Sequence, residues 1–378
     1  MRSTTRGPGS QMTALHLYVE LGSMIQDPVY DAWLSQFRAN VMGETNHILS
    51  AYKSTQNVTH NQHWRPKTSE DAFPYCRMPK AFIDDFRQTW EKLSVMDSSA
   101  LSKFLNLHCL ESNVIEGTIK FDPYVTNMLV QAGFSSEATS GQFGDSSIIS
   151  GIVKSQDALL ILQDTRNAID EIFELVKTKP VIITPEWVCR LHKTMMASSH
   201  VSVLDVNGDG RFHHVTIGAT RQLSGVNVAV QGSFQGRPFK VQFCPCDSVD
   251  TELATFCKQC TVLLDRNDSD PFAVAAWISH VFVTIHPFED GNGRLSRILA
   301  SIPLLLRRLP PICIGLSEKI NYNGYLNVTR SYRNGDYEDL MKVLHRGTLT
   351  SLSHFKLHLT GLQFLTDDVA VGPWFPLN

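Results

Sequence analysis

The sequence predicts a mainly α protein with a small β element, and three observations carry that expectation. Apolar residues recur at helical spacing along most of the chain after Pro79, helix-start signals precede several of these segments, and one glycine-rich interval switches to strand-like alternation. Ser98 and Ser99 offer a cap to a helix with Leu101, Phe104, Leu105 and residues 107–109 on one side. Ala168, Ile169, Ile172, Phe173 and Val176 follow the amphipathic period. Thr184-Pro185-Glu186 combines a capping hydroxyl, a proline for the first turn and an acid at the dipole's positive end. The helix opening there runs through Trp187, Leu191 and Met195. Residues 214–217 and 240–243 alternate like strands, so residues 201–242 read as a β-hairpin or flap inserted among helices. Asp270-Pro271 starts another helix over residues 272–285, and a further one begins after Gly293. Helix is expected at residues 325–332 and, beyond the turn Asn334-Gly335-Asp336, to about Leu359. Near the N-terminus, a short helix at residues 32–52 gives way to a polar connection at 53–71.

The 378 residues are 43% hydrophobic and 19% charged, ordinary globular usage that excludes a disordered, collagenous or disulfide-dense chain. Lys plus Arg total 34 against 37 Asp plus Glu, a net charge of −3. That balance predicts no nucleic-acid or membrane partner, so any phosphate recognition is local. No apolar run is long enough to span a bilayer, and the best one, residues 298–306, stops at Arg307 and Arg308. Residues 1–10 carry Arg2 and Arg6 without the apolar stretch of a secretory signal, although a mitochondrial presequence is compatible with them. The eight cysteines lack scaffold spacing, which points to reduced thiols in a cytoplasmic or nuclear setting.

Chemistry concentrates in His286-Pro287-Phe288-Glu289-Asp290-Gly291-Asn292-Gly293-Arg294-Leu295-Ser296-Arg297. One helix ends in a histidine, a glycine-rich turn follows, and the next helix opens with two arginines three positions apart. Gly291 and Gly293 permit close backbone approach, so successive N–H groups can point at an anion, and the new helix adds its dipole. Arg294 and Arg297 share a helix face and can each fork onto phosphate oxygens. Asp290 offers a hard oxygen ligand suited to Mg²⁺ bridging phosphates. His286 is the group in the motif whose ordinary pKa lies near neutrality, as a general base requires. A plain helical corner accounts for the glycines alone, not for the base, carboxylate and arginines in one register.

This segment matches the Fic signature, H-x-F-x-D-G-N-G-R-x-x-R, at every specified position. The chain therefore resembles the Fic/Doc family, by identity in the signature and by pattern from about Ser112 to Leu344. The resemblance implies a Fic-type helical bundle with a β-hairpin flap, and transfer of a nucleoside monophosphate, usually AMP from ATP, to a protein hydroxyl. His286 would deprotonate the target Ser, Thr or Tyr, and Asp290 would hold Mg²⁺. Gly291, Asn292 and Gly293 would cradle the α-phosphate, with Arg294 and Arg297 on the outer phosphates. Doc-type phosphotransferases usually replace the first glycine, so Gly291 favours nucleotidyl transfer.

Residues 112–117, Ser-Asn-Val-Ile-Glu-Gly, resemble the family's inhibitory motif, [ST]-x-x-x-E-[GN]. The resemblance pairs Glu116 with Arg297 and includes Ser112 in the same device. A carboxylate in the guanidinium fork removes the γ-phosphate site and repels that anion. In some braked members the same glutamate also supports removal of AMP. The family's flap docks a target segment by strand pairing, here at Val215, Thr216, Ile217 and Gly218. Tyr325 falls where the family often places an aromatic near adenine. Arg333 stands where relatives often carry an asparagine toward the base.

The expected organisation is a variable segment at 1–80, a helical region carrying the inhibitory motif at 81–150, a Fic core at 151–350 and a tail at 351–378. The expected partners are ATP and a protein target, with a homodimer allowed. Rival readings are transfer of another nucleotide, net AMP removal, and a nucleotide-binding regulatory module with negligible turnover. Two further patterns mimic metal sites and read instead as a turn into the flap and as helix-borne buried cysteines. Residues 205–210 mimic the start of an EF-hand loop but carry Thr216 at its twelfth position, and Cys244, Cys246, Cys257 and Cys260 have zinc-like spacing.

Overall fold

The computed structural model describes residues 73–135, 148–151, 155–178, 180–199, 201–204, 211–234, 237–315 and 335–360. The helices expected at 32–52 and 325–332, the EF-hand-like stretch, Tyr325 and Arg333 lie outside them. The described residues all fall within one compact unit. In chain order its elements are α1 (Lys80–Met96), α2 (Ala100–Glu116), β1 (Ile119–Phe121), α3 (Pro123–Ala132), β2 (Ile148–Gly151), α4 (Ser155–Lys177), α5 (Pro185–Met195), β3 (Val201–Leu204), β4 (Arg211–His214), α6 (Arg221–Ser224), β5 (Ala229–Phe234), β6 (Arg237–Gln242), α7 (Val249–Asp265), α8 (Pro271–Ile285), α9 (Asn292–Leu306) and α10 (Glu338–Thr360). The protein is mainly helical, with strands confined to three antiparallel pairs among the described residues.

The core is organised around α8. Every residue of this helix except Thr284 is buried, which follows from a sequence apolar on all sides. Asp270 fixes its start, accepting hydrogen bonds from the N–H groups of Phe272 at 2.9 Å and Ala273 at 3.1 Å, with Pro271 in the first turn. Helix α9 packs along α8, so the turn joining them, residues 286–291, lies at one end of the most buried pair of helices. Helices α4, α5 and α2 pack near the start of α9 and supply the other walls of that corner.

The start of α5 forms as its sequence requires: the Thr184 hydroxyl accepts from Trp187 N–H at 3.2 Å. The start of α2 does not. Ser99 turns away and donates its hydroxyl to Asp97 at 2.6 Å, because the ionised carboxylate is the stronger acceptor, and Leu101 in the first turn is exposed. The single hairpin expected at 201–242 is instead two, β3–β4 with Leu204 opposite Arg211, and β5–β6 with Phe234 opposite Arg237. A short α6 separates them. Cys257 and Cys260 are buried on α7, and no cluster of three potential metal ligands exists among the described residues.

Several histidines are sealed in this core. Desolvation is the main force holding His108 at a pKa of about 3 and His358 at about 4. A histidine whose folded pKa is depressed gives stability that is complete above its unfolded value near 6.5 and is lost as pH falls toward the folded value. We expect the melting temperature to decline from pH 6.5 toward pH 4, with His108 alone contributing about 1.4 kcal/mol per pH unit. In calorimetric scans across that interval, His108→Leu should show a shallower decline than the parent. An equal slope would mean that His108 is not protonated on unfolding.

Candidate active site

His286 caps the C-terminus of α8 in the left-handed region, φ 53°, and its N–H still bonds back to Phe282 O at 2.9 Å. Its ring stacks on Phe243 at 4.0 Å. Nδ1 lies 3.2 Å from Val283 O, so Nδ1 carries the proton and Nε2 is left as the acceptor. Desolvation, then the positive charge of Arg221, push its pKa down to about 3, against the opposing pull of the Val283 carbonyl and Glu116. The imidazole is neutral at physiological pH, the form that can accept a proton.

Beyond it the turn is closed by its own side chains. Asn292 accepts from Phe288 N–H at 3.0 Å and donates to Phe288 O at 2.8 Å, so its amide holds the loop shut rather than facing an anion. Asp290 accepts from Gly291 N–H at 2.6 Å, while its second oxygen stays 3.9 Å from Arg294 on a side chain that is 41% exposed. Gly291 takes φ 76°, and a Cβ there would meet Met196 Sδ at 2.8 Å. Both the backbone angle and the space demand glycine.

Arg294 and Arg297 are each only 2% exposed. Helix α2 supplies their partners. Arg297 donates to the Ser112 hydroxyl and carbonyl, both at 3.0 Å, and to Glu116 Oε1 at 2.7 Å. Arg294 reaches Asn113 Oδ1 at 3.4 Å and Met196 Sδ at 3.1 Å, while its Nε has no hydrogen-bond partner among the described residues. Gly117, φ 74°, ends α2 immediately after Glu116 and donates to Asn113 and Val114 carbonyls, which fixes where the carboxylate stands. Burial acts to raise the Glu116 pKa, but Arg297, with Arg294 and His286, holds the carboxyl below its ordinary range. A Cβ at Gly293 would collide with Glu116 Oε1. The carboxylate therefore rests directly on the glycine corner.

Ser112, Glu116, His286, Asp290, Gly291, Asn292, Gly293, Arg294 and Arg297 thus converge at one corner. Val215, Thr216, Ile217 and Gly218 follow β4 rather than belonging to it, because side chains take the place of a strand partner. Thr216 N–H bonds to Glu289 at 3.1 Å, and Gly218 N–H bonds to His192 Nδ1 at 3.0 Å. Val215 is itself buried.

Three residues escaped the sequence reading. His192 bridges Gly218 and the Asp290 carbonyl, 3.1 Å from its Nε2, with its ring stacked on Phe288 at 3.8 Å. Its signal was a polar residue on the apolar face of α5. Asn113 occupies an unspecified position of the inhibitory motif, yet holds Arg294. Arg221 is fully buried and donates to the carbonyls of His286, Ile285, Val226 and Cys244. Main-chain acceptors leave no side-chain pattern, so nothing marked it.

A lone half-exposed carboxylate fits Mg²⁺ that arrives with a nucleotide and completes its shell with phosphate and water, not a resident ion in a protein cage. Asp290 is the residue that would hold it.

Residues 182–304 match the model of the Fic/DOC family. Over 97 residues the chain is 38% identical to a Fido domain-containing protein of Dictyostelium discoideum, a stretch covering 25% of this chain and 66% of that protein. Over 78 residues it is 35% identical to Protein adenylyltransferase Fic of Nematostella vectensis, covering 21% of this chain and 18% of the relative. The chain thus aligns with less than two thirds of either protein. Its fold is similar to that of a Fic domain-containing signaling protein from Bacteroides thetaiotaomicron, with TM-score 0.51 at 18% identity over 74% of this chain and 97% of the other. The matched segment carries the complete corner between α8 and α9, and it is there that the chain is similar to the Fic/DOC family.

Proposed function

We propose that the chain is a protein adenylyltransferase held in check by its own helix α2. One observation carries this reading: a carboxylate already sits in the arginine fork, 2.7 Å from Arg297 and against Gly293. An oxyanion is bound where a triphosphate would place one. Support for adenylyl transfer comes from the relatives named as protein adenylyltransferases.

In the released state, Arg294 and Arg297 fork onto the outer phosphates, and the backbone at Gly291 and Gly293, with the N-terminus of α9, cradles the α-phosphate. When bound to Asp290, Mg²⁺ supplies neutralisation of charge on the phosphates. His286 Nε2 accepts the hydroxyl proton of a Ser, Thr or Tyr as that oxygen bonds to the α-phosphorus and pyrophosphate departs. The anionic nucleotide raises the proton affinity of His286 relative to the empty site, which brings a base held near 3 toward a useful range. Positioning and charge neutralisation do most of the work in such transfers. With Glu116 in place, the γ-phosphate meets a like charge and the reacting phosphorus cannot align with His286.

Incubated with labelled ATP, Glu116→Gly should modify itself or a lysate target about 5- to 150-fold more than the parent, the range of a typical coupling energy. Equal labelling would remove the brake from this account. On that background, His286→Ala should lower transfer about 10²- to 10⁴-fold. An adduct that persists would exclude His286 as the base. Chelation of Mg²⁺ and Asp290→Ala should each suppress transfer while the melting temperature stays near the parent's. Tight ATP binding without any adduct in Glu116→Gly would instead identify a regulatory module.

A further inference from the structure

We propose that Arg221 is the positioning residue of the catalytic base: it holds the end of α8 so that His286 keeps its left-handed backbone and presents Nε2 to the substrate hydroxyl. The inference rests on His286 acting as the base.

Three successive carbonyls at this helix end go to one residue. Arg221 Nε donates to His286 O at 2.6 Å, Nη2 donates to Ile285 O at 3.1 Å, and the backbone N–H donates to Pro287 O at 2.8 Å. Nη1 reaches Val226 O at 3.0 Å, and Nη2 also bonds to Cys244 O. The guanidinium has no carboxylate partner among these contacts, although it is wholly buried. Burying a charge in that way is unfavourable unless something compensates it. Here the compensation is the negative end of the α8 dipole together with the converging carbonyls. His286 needs such a clamp because φ 53° is an uncommon angle for a residue with a Cβ. Only a planar fork with several fixed donors satisfies this many main-chain acceptors at once; a lysine carries the charge but not the geometry.

The same cation lies close enough to depress the proton affinity of His286, second only to desolvation. The charged groups whose field reaches the imidazole are Arg221 from α6 and Glu116 from α2. Arg221 therefore acts on the base in two separable ways, through orientation and through charge.

The test uses the full chain carrying Glu116→Gly, with Arg221→Lys and Arg221→Gln added singly. Folding is checked by circular dichroism, and His286 is followed by selective ¹³C labelling of histidine, assigned through His286→Ala. Arg221→Lys should keep the His286 titration low yet lower kcat about 10²-fold, with the KM for ATP unchanged. Arg221→Gln should lower kcat likewise and move the His286 titration upward. Folded variants with kcat within twofold of the parent and an unmoved His286 resonance would reduce Arg221 to packing and overturn the proposal. If neither variant folds, the Glu116→Gly protein alone decides: labelled with ¹⁵N-arginine, its Arg221 Nε–H must be protected from solvent exchange, and an Nε–H that exchanges freely overturns the clamp. Because the resonance is read without turnover, absence of transfer would refute the adenylyltransferase reading and leave the positioning result separately legible.

Discussion

Two guanidinium groups buried almost side by side at the start of α9 impose a constraint that the surrounding structure answers. Neither Arg294 nor Arg297 can remain in a low-dielectric corner without acceptors, because an unpaired buried charge costs several kcal/mol. The answer comes from helix α2, whose Ser112, Asn113 and Glu116 meet the two arginines from one face. The device is therefore broader than a single ion pair: adjacent residues of one helix each take a different arginine. The largely buried α8–α9 pair keeps the corner rigid, so the arginines cannot swing out to water to relieve the demand.

Much of this was readable from the chain. The signature is contiguous, so residue type and spacing alone located His286, Asp290, the glycines and both arginines. The motif ending in Glu116-Gly117 located the carboxylate and, through the glycine, the helix end that aims it. What stayed hidden shares one cause. His192 and Arg221 act on main-chain carbonyls and amides, which every residue possesses, and they are brought to the corner from positions 98 and 65 residues away in sequence from their partners. Asn292 was expected among the residues cradling the α-phosphate; the separate use of its side-chain amide, which matches the spacing of the Phe288 N–H and C=O and closes the turn, was not legible. The strands were misdrawn for a related reason: alternation marked a β region but carried no information on how many hairpins it held.

The base presents a contrast with the arginines. His286 is desolvated and lies beside a permanent cation, so in the ligand-free state it holds its proton weakly. An anion entering the site would raise that proton affinity. In the proposed reaction the chemistry of this corner would be conditional on the same negative charge that the arginines would bind, which would link substrate occupancy to basicity.

Gly293 has a consequence for how the protein could vary. The space left by its missing side chain serves the Glu116 carboxylate in this state and the phosphate in the proposed active one, so both occupants depend on one empty volume. A larger residue there would evict the Glu116 carboxylate and, in the proposed reaction, the phosphate together. If α2 restrains the site as proposed, variants that escape it yet keep the proposed chemistry would arise on α2 rather than at the glycine.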